Sequence, residues 1–254
     1  MSVSGYGHGA HPGRVRRCNE DSLLVDDRHS LWLIADGMGG HNSGDVASRV
    51  AVDYVHEAVV RKGVSLLQAV REAHTIIQIA ADQMLGLTGM GTTFVGCRLH
   101  GHRYEVVWVG DSRAYLCDGE GLRRLTRDHS YVQQLLDAGQ IGEEEAARHP
   151  CRHVITQALG AVDLAEVEVE RVEGDFCRGQ QILLCSDGLT SALDEKTICR
   201  LLQDSALDEQ GKVDRLISLS LERGGGDNIS VIVLSAPDDA PEMGEWDTTQ
   251  SLTA

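Results

Sequence analysis

The stretch Leu31–His41 reads LWLIADGMGGH. Leu31 to Ala35 form an unbroken apolar run of the kind that fits a buried strand. Asp36 ends that run on a bare carboxylate, and Gly37, Gly39 and Gly40 put almost no side chain behind it. The pattern returns at Gln181–Leu189, QILLCSDGL, where an apolar run gives way to Asp187 and Gly188. A single Asp-Gly after a strand is ordinary turn chemistry. Two buried-type strands with the same ending ask for more.

Further strand-like runs lie at Ser22–Asp26, Thr92–Arg98, Tyr104–Val109, Ala114–Cys117, Val167–Val172 and Asn228–Leu234. They are rich in Val, Ile, Leu and Thr and are bounded by turn residues. Leu99–His102 and Asp118–Gly121 read as hairpin turns. Helical periodicity marks Gly44–Arg61, Ser65–Leu85 with Ser65 as N-cap, Asp208–Glu222, and a shorter helix from Glu195 to Leu202. Strands and helices do not alternate as a parallel α/β fold requires. The expected class is therefore α+β, with antiparallel sheets covered by paired helices. The polar, helix-prone segment 129–160 reads as an insertion beside a main domain spanning 1–236. Residues 237–254 carry Pro, acids and polar residues and are expected to be a disordered tail.

The chain has 254 residues and a net charge of −16, from 23 basic and 39 acidic side chains. That length buries a sizeable core without staples. A strongly acidic chain is a poor partner for nucleic acid, which wants a basic face. Seven cysteines, an odd number with no C-x-x-C pair, argue against a disulfide framework or zinc ribbon and for a reducing compartment. There is no signal-type apolar segment and no run of membrane-spanning length. A cytoplasmic protein without a membrane partner is the expectation.

Other acids sit at element ends. Asn19-Glu20-Asp21 opens an early strand, Asp111 follows one in VGDSR, Asp128 lies in LTRDHS, and Asp227-Asn228 precedes the last strand in GGGDNIS. If these ends converge, the carboxylates repel unless cations lie between them. Oxygen donors of this kind suit hard divalent ions such as Mg²⁺ or Mn²⁺. Such a cluster suits hydrolysis of a phosphate ester, because bridged cations acidify water and offset phosphoryl charge. A guanidinium would grip the phosphate oxygens. Arg16 is the natural candidate, and Arg17 competes with it on these grounds.

The motifs VRRCNEDS, ADGMGGH, GMGTT, VGDSR, LTRDHS, CSDGL and GGGDNIS, in this order across about residues 5–235, resemble the metal-dependent type 2C serine/threonine protein phosphatases, the PPM family, in its compact bacterial form. The resemblance implies a four-layer α-β-β-α sandwich, with two central antiparallel sheets covered by helix pairs. It implies that Asp36 bridges two metal ions, that the Gly37 carbonyl binds one of them, and that Asp187 and Asp227 are direct ligands. Glu20 and Asp21 would act mainly through metal-bound water. Asp128 with Asp187 would hold a third, weaker ion, whereas Asp111 is read as a structural or supporting residue. Arg16, three before Asn19, would bind the substrate phosphate. The segment after Asp128 would be a mobile flap that shapes substrate choice.

The same resemblance implies hydrolysis of phosphoserine or phosphothreonine by a metal-bridging hydroxide, without a phospho-enzyme, on Mn²⁺ or Mg²⁺. Two core ions and a third are expected. The expected partners are phosphorylated proteins and a Ser/Thr kinase that the enzyme opposes, with the chain acting as a monomer. Many eukaryotic relatives carry a histidine, the proposed general acid, where this chain, like many bacterial members, has Met38, which cannot transfer a proton. A metal-bound water is the first candidate for that role, and His41 a weaker one. Cys18 and Cys185 lie beside motifs, but nothing supplies either with a basic partner. Three other readings compete. A binding module that has lost catalysis predicts missing ligands, and none is missing. A small-ester hydrolase is separable by its products. A calcium module lacks a local D-x-D-x-D-G loop.

Overall fold

A computed structural model describes residues 3–39, 43–83 and 89–242. In chain order it contains β1 (Gly5–His11), β2 (Asp21–Asp26), a 3-10 turn (Asp27–His29), β3 (Leu31–Met38), α1 (Gly44–Arg61), α2 (Leu66–Gln83), β4 (Gly91–Thr92), β5 (Phe94–His100) and β6 (Arg103–Val109). There follow β7 (Arg113–Asp118), β8 (Gly121–Arg124), α3 (Tyr131–Asp137), α4 (Glu143–Ala146), β9 (Glu170–Asp175), β10 (Gln181–Cys185), α5 (Asp187–Ala192), α6 (Glu195–Leu202), α7 (Glu209–Glu222) and β11 (Ile229–Ser235). One sheet runs β1-β11-β10-β7-β8, the other β2-β3-β5-β6-β9 with β4 paired to β3. Every strand pair is antiparallel.

The side chains of β3 explain why its sequence is apolar without alternation. Leu31, Leu33 and Ala35 pack under α1 and α2. Trp32 and Ile34 point the other way, into the space between the sheets, where they meet Ile182, Leu184, Ile232 and Leu234. On the far side of the second sheet, Leu183, Cys185, Val231 and Val233 pack against Leu189, Ile198, Val213 and Leu216 of α5, α6 and α7. Both sheets are thus covered on both faces, and antiparallel strands acquire the continuous apolar signature usual for parallel ones. The order of layers is helices, sheet, sheet, helices, as the family resemblance implies.

Local signals fix the element ends. Ser65 Oγ accepts from Gln68 N–H at 3.3 Å, and Asp194 and Asp208 cap α6 and α7 through Thr197 and Gly211. Both expected hairpin turns join paired strands, β5 to β6 and β7 to β8. One expectation changes. The strand expected at Val167–Val172 lies at Glu170–Asp175, where it forms the edge of its sheet against β6. Around the expected domain end, Ala236 and Ala240 belong to the core between the sheets, and the Pro241 carbonyl accepts from Arg178 N–H at 3.0 Å. Residues 243–254, like Leu85 and His41, lie outside the described residues.

Candidate active site

One end of both sheets collects the acids. Asp21 opens β2 and is paired directly across the ladder with Asp36 of β3. Asp111 follows β6, Asp187 follows β10 and begins α5, and Asp227 precedes β11. Like charges directly opposite on neighbouring strands are unfavourable, so this pairing needs support from elsewhere.

Hydroxyls hold the Asp36 main chain in place, leaving its carboxylate without their help. Its N–H donates to Thr93 Oγ1 at 3.2 Å, its carbonyl accepts from Thr92 Oγ1 at 2.9 Å, and Thr93 Oγ1 meets Ser112 Oγ at 2.7 Å. The glycine after each aspartate is demanded by close packing. A Cβ on Gly37 would lie 2.0 Å from the Gly44 carbonyl oxygen, because α1 starts against the β3 backbone. A Cβ on Gly188 would lie 1.9 Å from the Asn228 carbonyl oxygen. The Asp-Gly pairs therefore place a carboxylate where two backbones touch.

Asn228 ties the segment before β2 to β11. Its Oδ1 accepts from Glu20 N–H at 2.8 Å, while its Nδ2 donates to the carbonyls of Pro12 and Cys18 at 2.9 and 3.0 Å. The Glu20 carbonyl in turn accepts from Gly37 N–H at 3.2 Å and Ser48 Oγ at 2.6 Å.

The electrostatics follow from this crowding. Burial and then the charges of Asp21, Asp187, Asp111 and Asp227 push Asp36 well above the usual carboxylate range. Burial raises Asp21 to about 6, against the pull of the neighbouring Ser230 and Ser186 hydroxyls. Burial raises Asp111 to about 8, with Asp187 the next contributor. Asp187 is raised by burial and by Asp227, and Glu20 chiefly by burial. Asp21 is 8% exposed; its Oδ2 accepts from Ser186 Oγ at 2.9 Å, but its Oδ1 is buried without a hydrogen-bond partner.

Arg16 reaches this basin: its Nη2 donates to Asp227 Oδ2 at 2.8 Å. Hydrogen bonding to Asp227 raises the guanidinium pKa. Arg16 and Arg17 are both exposed; it is Arg16 that makes the contact with Asp227. Asp128, expected to share a third ion with Asp187, lies among guanidinium groups. Arg113 grips it through Nε–Oδ1 at 3.0 Å and Nη2–Oδ2 at 2.6 Å, and Arg124 stands 3.6 Å from Oδ2. Both of its oxygens are committed to guanidinium groups that the β7–β8 hairpin delivers. Asp111, which the resemblance reads as structural or supporting, is buried beside Asp36 and Asp187.

The donor set is all oxygen, crowded, and short of positive charge, which suits hard divalent cations. Among the described residues no three His, Cys, Asp or Glu side chains are already closed around a single point.

A sequence profile of protein phosphatase 2C matches residues 8–216. The chain belongs to the protein phosphatase 2C family. This family member is 36% identical over 235 residues to the serine/threonine phosphatase stp of Listeria innocua, covering 87% of this chain and 92% of that one. It superposes with a TM-score of 0.84 and 34% identity on the crystal structure of the Mycobacterium tuberculosis serine/threonine phosphatase PstP/Ppp, covering 93% of this chain and all of that one. The catalytic domain of PstP in complex with two manganese ions superposes at 0.81 with 35% identity, covering 94% of this chain and 100% of that one. The chain is accordingly a protein serine/threonine phosphatase, and the seven motifs carry that identity in their order. Among the described residues no helix is long and apolar enough to cross a membrane.

Proposed function

We propose that the chain removes phosphate from phosphoserine and phosphothreonine in proteins, using divalent cations held by Asp36, Asp187 and Asp227, with the Gly37 carbonyl as a further donor. The observation that carries this reading is the pairing of Asp36 with Asp21 at the mouth of a basin that also receives Asp111, Asp187 and Asp227. Bound there, two ions of Mn²⁺ or Mg²⁺ would supply acidified water for direct attack on phosphorus and would offset the charge of the phosphoryl oxygens. The manganese-bound relative supports the count of two.

The chain's own residues do the rest. Glu20 and Asp21 orient the water around the ions, and the Asp21 Oδ1 without a protein donor suits that task. Arg16 exchanges its contact with Asp227 for two oxygens of the incoming phosphate, which a guanidinium fork matches. Asp128 anchors Arg113 instead of holding a third ion, and Asp111 is the better candidate for any third site. Met38 offers no proton, so the leaving alcohol takes one from water in the basin. By resemblance to its relatives the chain acts as a monomer in the cytoplasm and opposes Ser/Thr kinases, with phosphorylated proteins as substrates.

The test is phosphate release from a phosphothreonine peptide by wild type, Asp36→Asn and Asp187→Asn, with Mn²⁺ and with chelator. The reading expects wild type alone to be active, and only with metal. Full activity in chelator, or unchanged rates in both variants, would overturn it.

A further inference from the structure

Beyond the acids, one side chain faces the basin from the inserted segment. His153 Nδ1 lies 3.9 Å from Asp187 Oδ2. The chain around it is held on both sides: Tyr131 N–H donates to the Val154 carbonyl at 2.8 Å, and Thr156 N–H to the His129 carbonyl at 2.7 Å. His129 N–H in turn donates to the Gly110 carbonyl at 2.9 Å, one residue before Asp111. These main-chain hydrogen bonds set where the imidazole stands relative to Asp187.

The separation decides what the contact can be. At 3.9 Å it is too long for a hydrogen bond. Two donors sharing one cation through bonds of about 2.1 Å stand about 3 Å apart at right angles and about 4.2 Å apart when opposed. The observed separation falls inside that window.

We propose that His153 is a ligand carried by the inserted segment, completing with Asp187 the donor set of a divalent cation, so that metal binding fastens residues 129–160 to the core. The proposal rests on the metal-dependent reading above and adds a nitrogen donor to it. An imidazole shifts a site's preference toward Co²⁺, Ni²⁺ and Zn²⁺ and gives little to Mg²⁺, which prefers oxygen. This chain therefore discriminates among divalent ions more steeply than an all-oxygen centre would.

The experiment uses the full chain, stripped with chelator and titrated with Co²⁺ and separately with Mg²⁺, for wild type, His153→Asn and His153→Ala. Calorimetry gives the affinities, the visible absorption of Co²⁺ reports its ligands, and amide exchange reports the segment 129–160. His153 has a side chain 54% exposed, so both variants are expected to fold, which circular dichroism checks. The expected result is a loss of about 10- to 100-fold in Co²⁺ affinity at one site in both variants. It comes with a changed Co²⁺ band, with Mg²⁺ affinity held within about threefold, and with Co²⁺-dependent protection of the segment in wild type alone. Equal Co²⁺ affinity and an equal spectrum in all three proteins would overturn the proposal. Failure of wild type itself to bind any divalent ion would instead strike the metal-dependent reading, and the His153 assignment with it.

Discussion

Asp36 sits where four other carboxylates raise its affinity for a proton, and its behaviour without metal should betray that strain. Asp36→Asn removes one charge from the crowd. Its metal-free melting temperature should exceed that of wild type, by roughly 2–4 °C for each kcal/mol of repulsion relieved in a chain of this size. Its turnover with Mn²⁺ should fall by about 10²–10³. A scanning calorimeter and a phosphopeptide assay read the two effects, and a variant both less stable and fully active would refute the role given to this residue. The pH dependence has a definite sign. Asp21 and Asp111 are raised to about 6 and about 8, so the folded state holds protons that the unfolded chain has released above its own carboxylate range near 4. Stability of the metal-free protein should therefore be greatest near pH 4–5 and decline as pH rises through 6 and 8. Melting curves across that range check it, and a rising trend would contradict it. Arg16→Ala should raise KM for a phosphopeptide by about tenfold while Arg17→Ala changes it little; equal effects would return the two arginines to the parity that spacing left them in.

Among the elements, the contact between α5 and β11 is the tightest test of how the acids are mounted. Gly188→Ala puts a Cβ into the Asn228 carbonyl and should cost about 1–3 kcal/mol or more by denaturant titration. A neutral result would mean that the two backbones do not touch as described. The same packing explains which elements were legible in the sequence. α6 spans Glu195–Leu202 as its periodicity predicts, because one face meets the core and an aspartate caps it. β1, GYGHGAH, carries no strand signature because its glycines are a packing solution: a Cβ on Gly7 would lie 2.4 Å from the Glu209 carbonyl oxygen. That closeness to α7 strips the strand of the β-branched residues that would announce it. β9 was misplaced because an edge strand reading ERVEGD alternates polar and half-buried positions and has weak propensity. At the site, Asp36, Asp187 and Asp227 could be singled out from their places at strand ends. That Arg113 and Arg124 hold Asp128 is not legible in the sequence, since Asp111 and Asp128 both follow strands and only the folded hairpin brings the two guanidinium groups onto one of them. His153 gave no signal at all, lying in a polar segment with no strand or motif around it.

At the scale of the whole molecule, two sheets buried on both faces form a rigid frame, and their shared end gathers negative charge that the frame alone does not neutralise. The net charge of −16 adds to that burden. Divalent cations should therefore act on the whole fold, because any ligand that binds only the native state stabilises it by mass action, by about 2.7 kcal/mol at a hundredfold excess over Kd. Mn²⁺ should raise the melting temperature, and by more at pH 8 than at pH 5, where protons already occupy part of the basin. The most direct test of the central claim is equilibrium dialysis of the chelator-stripped chain against Mn²⁺. The account predicts about two ions bound per chain and at least one fewer in Asp36→Asn. Wild type that binds no Mn²⁺, or a variant that binds as many ions equally tightly, would contradict it.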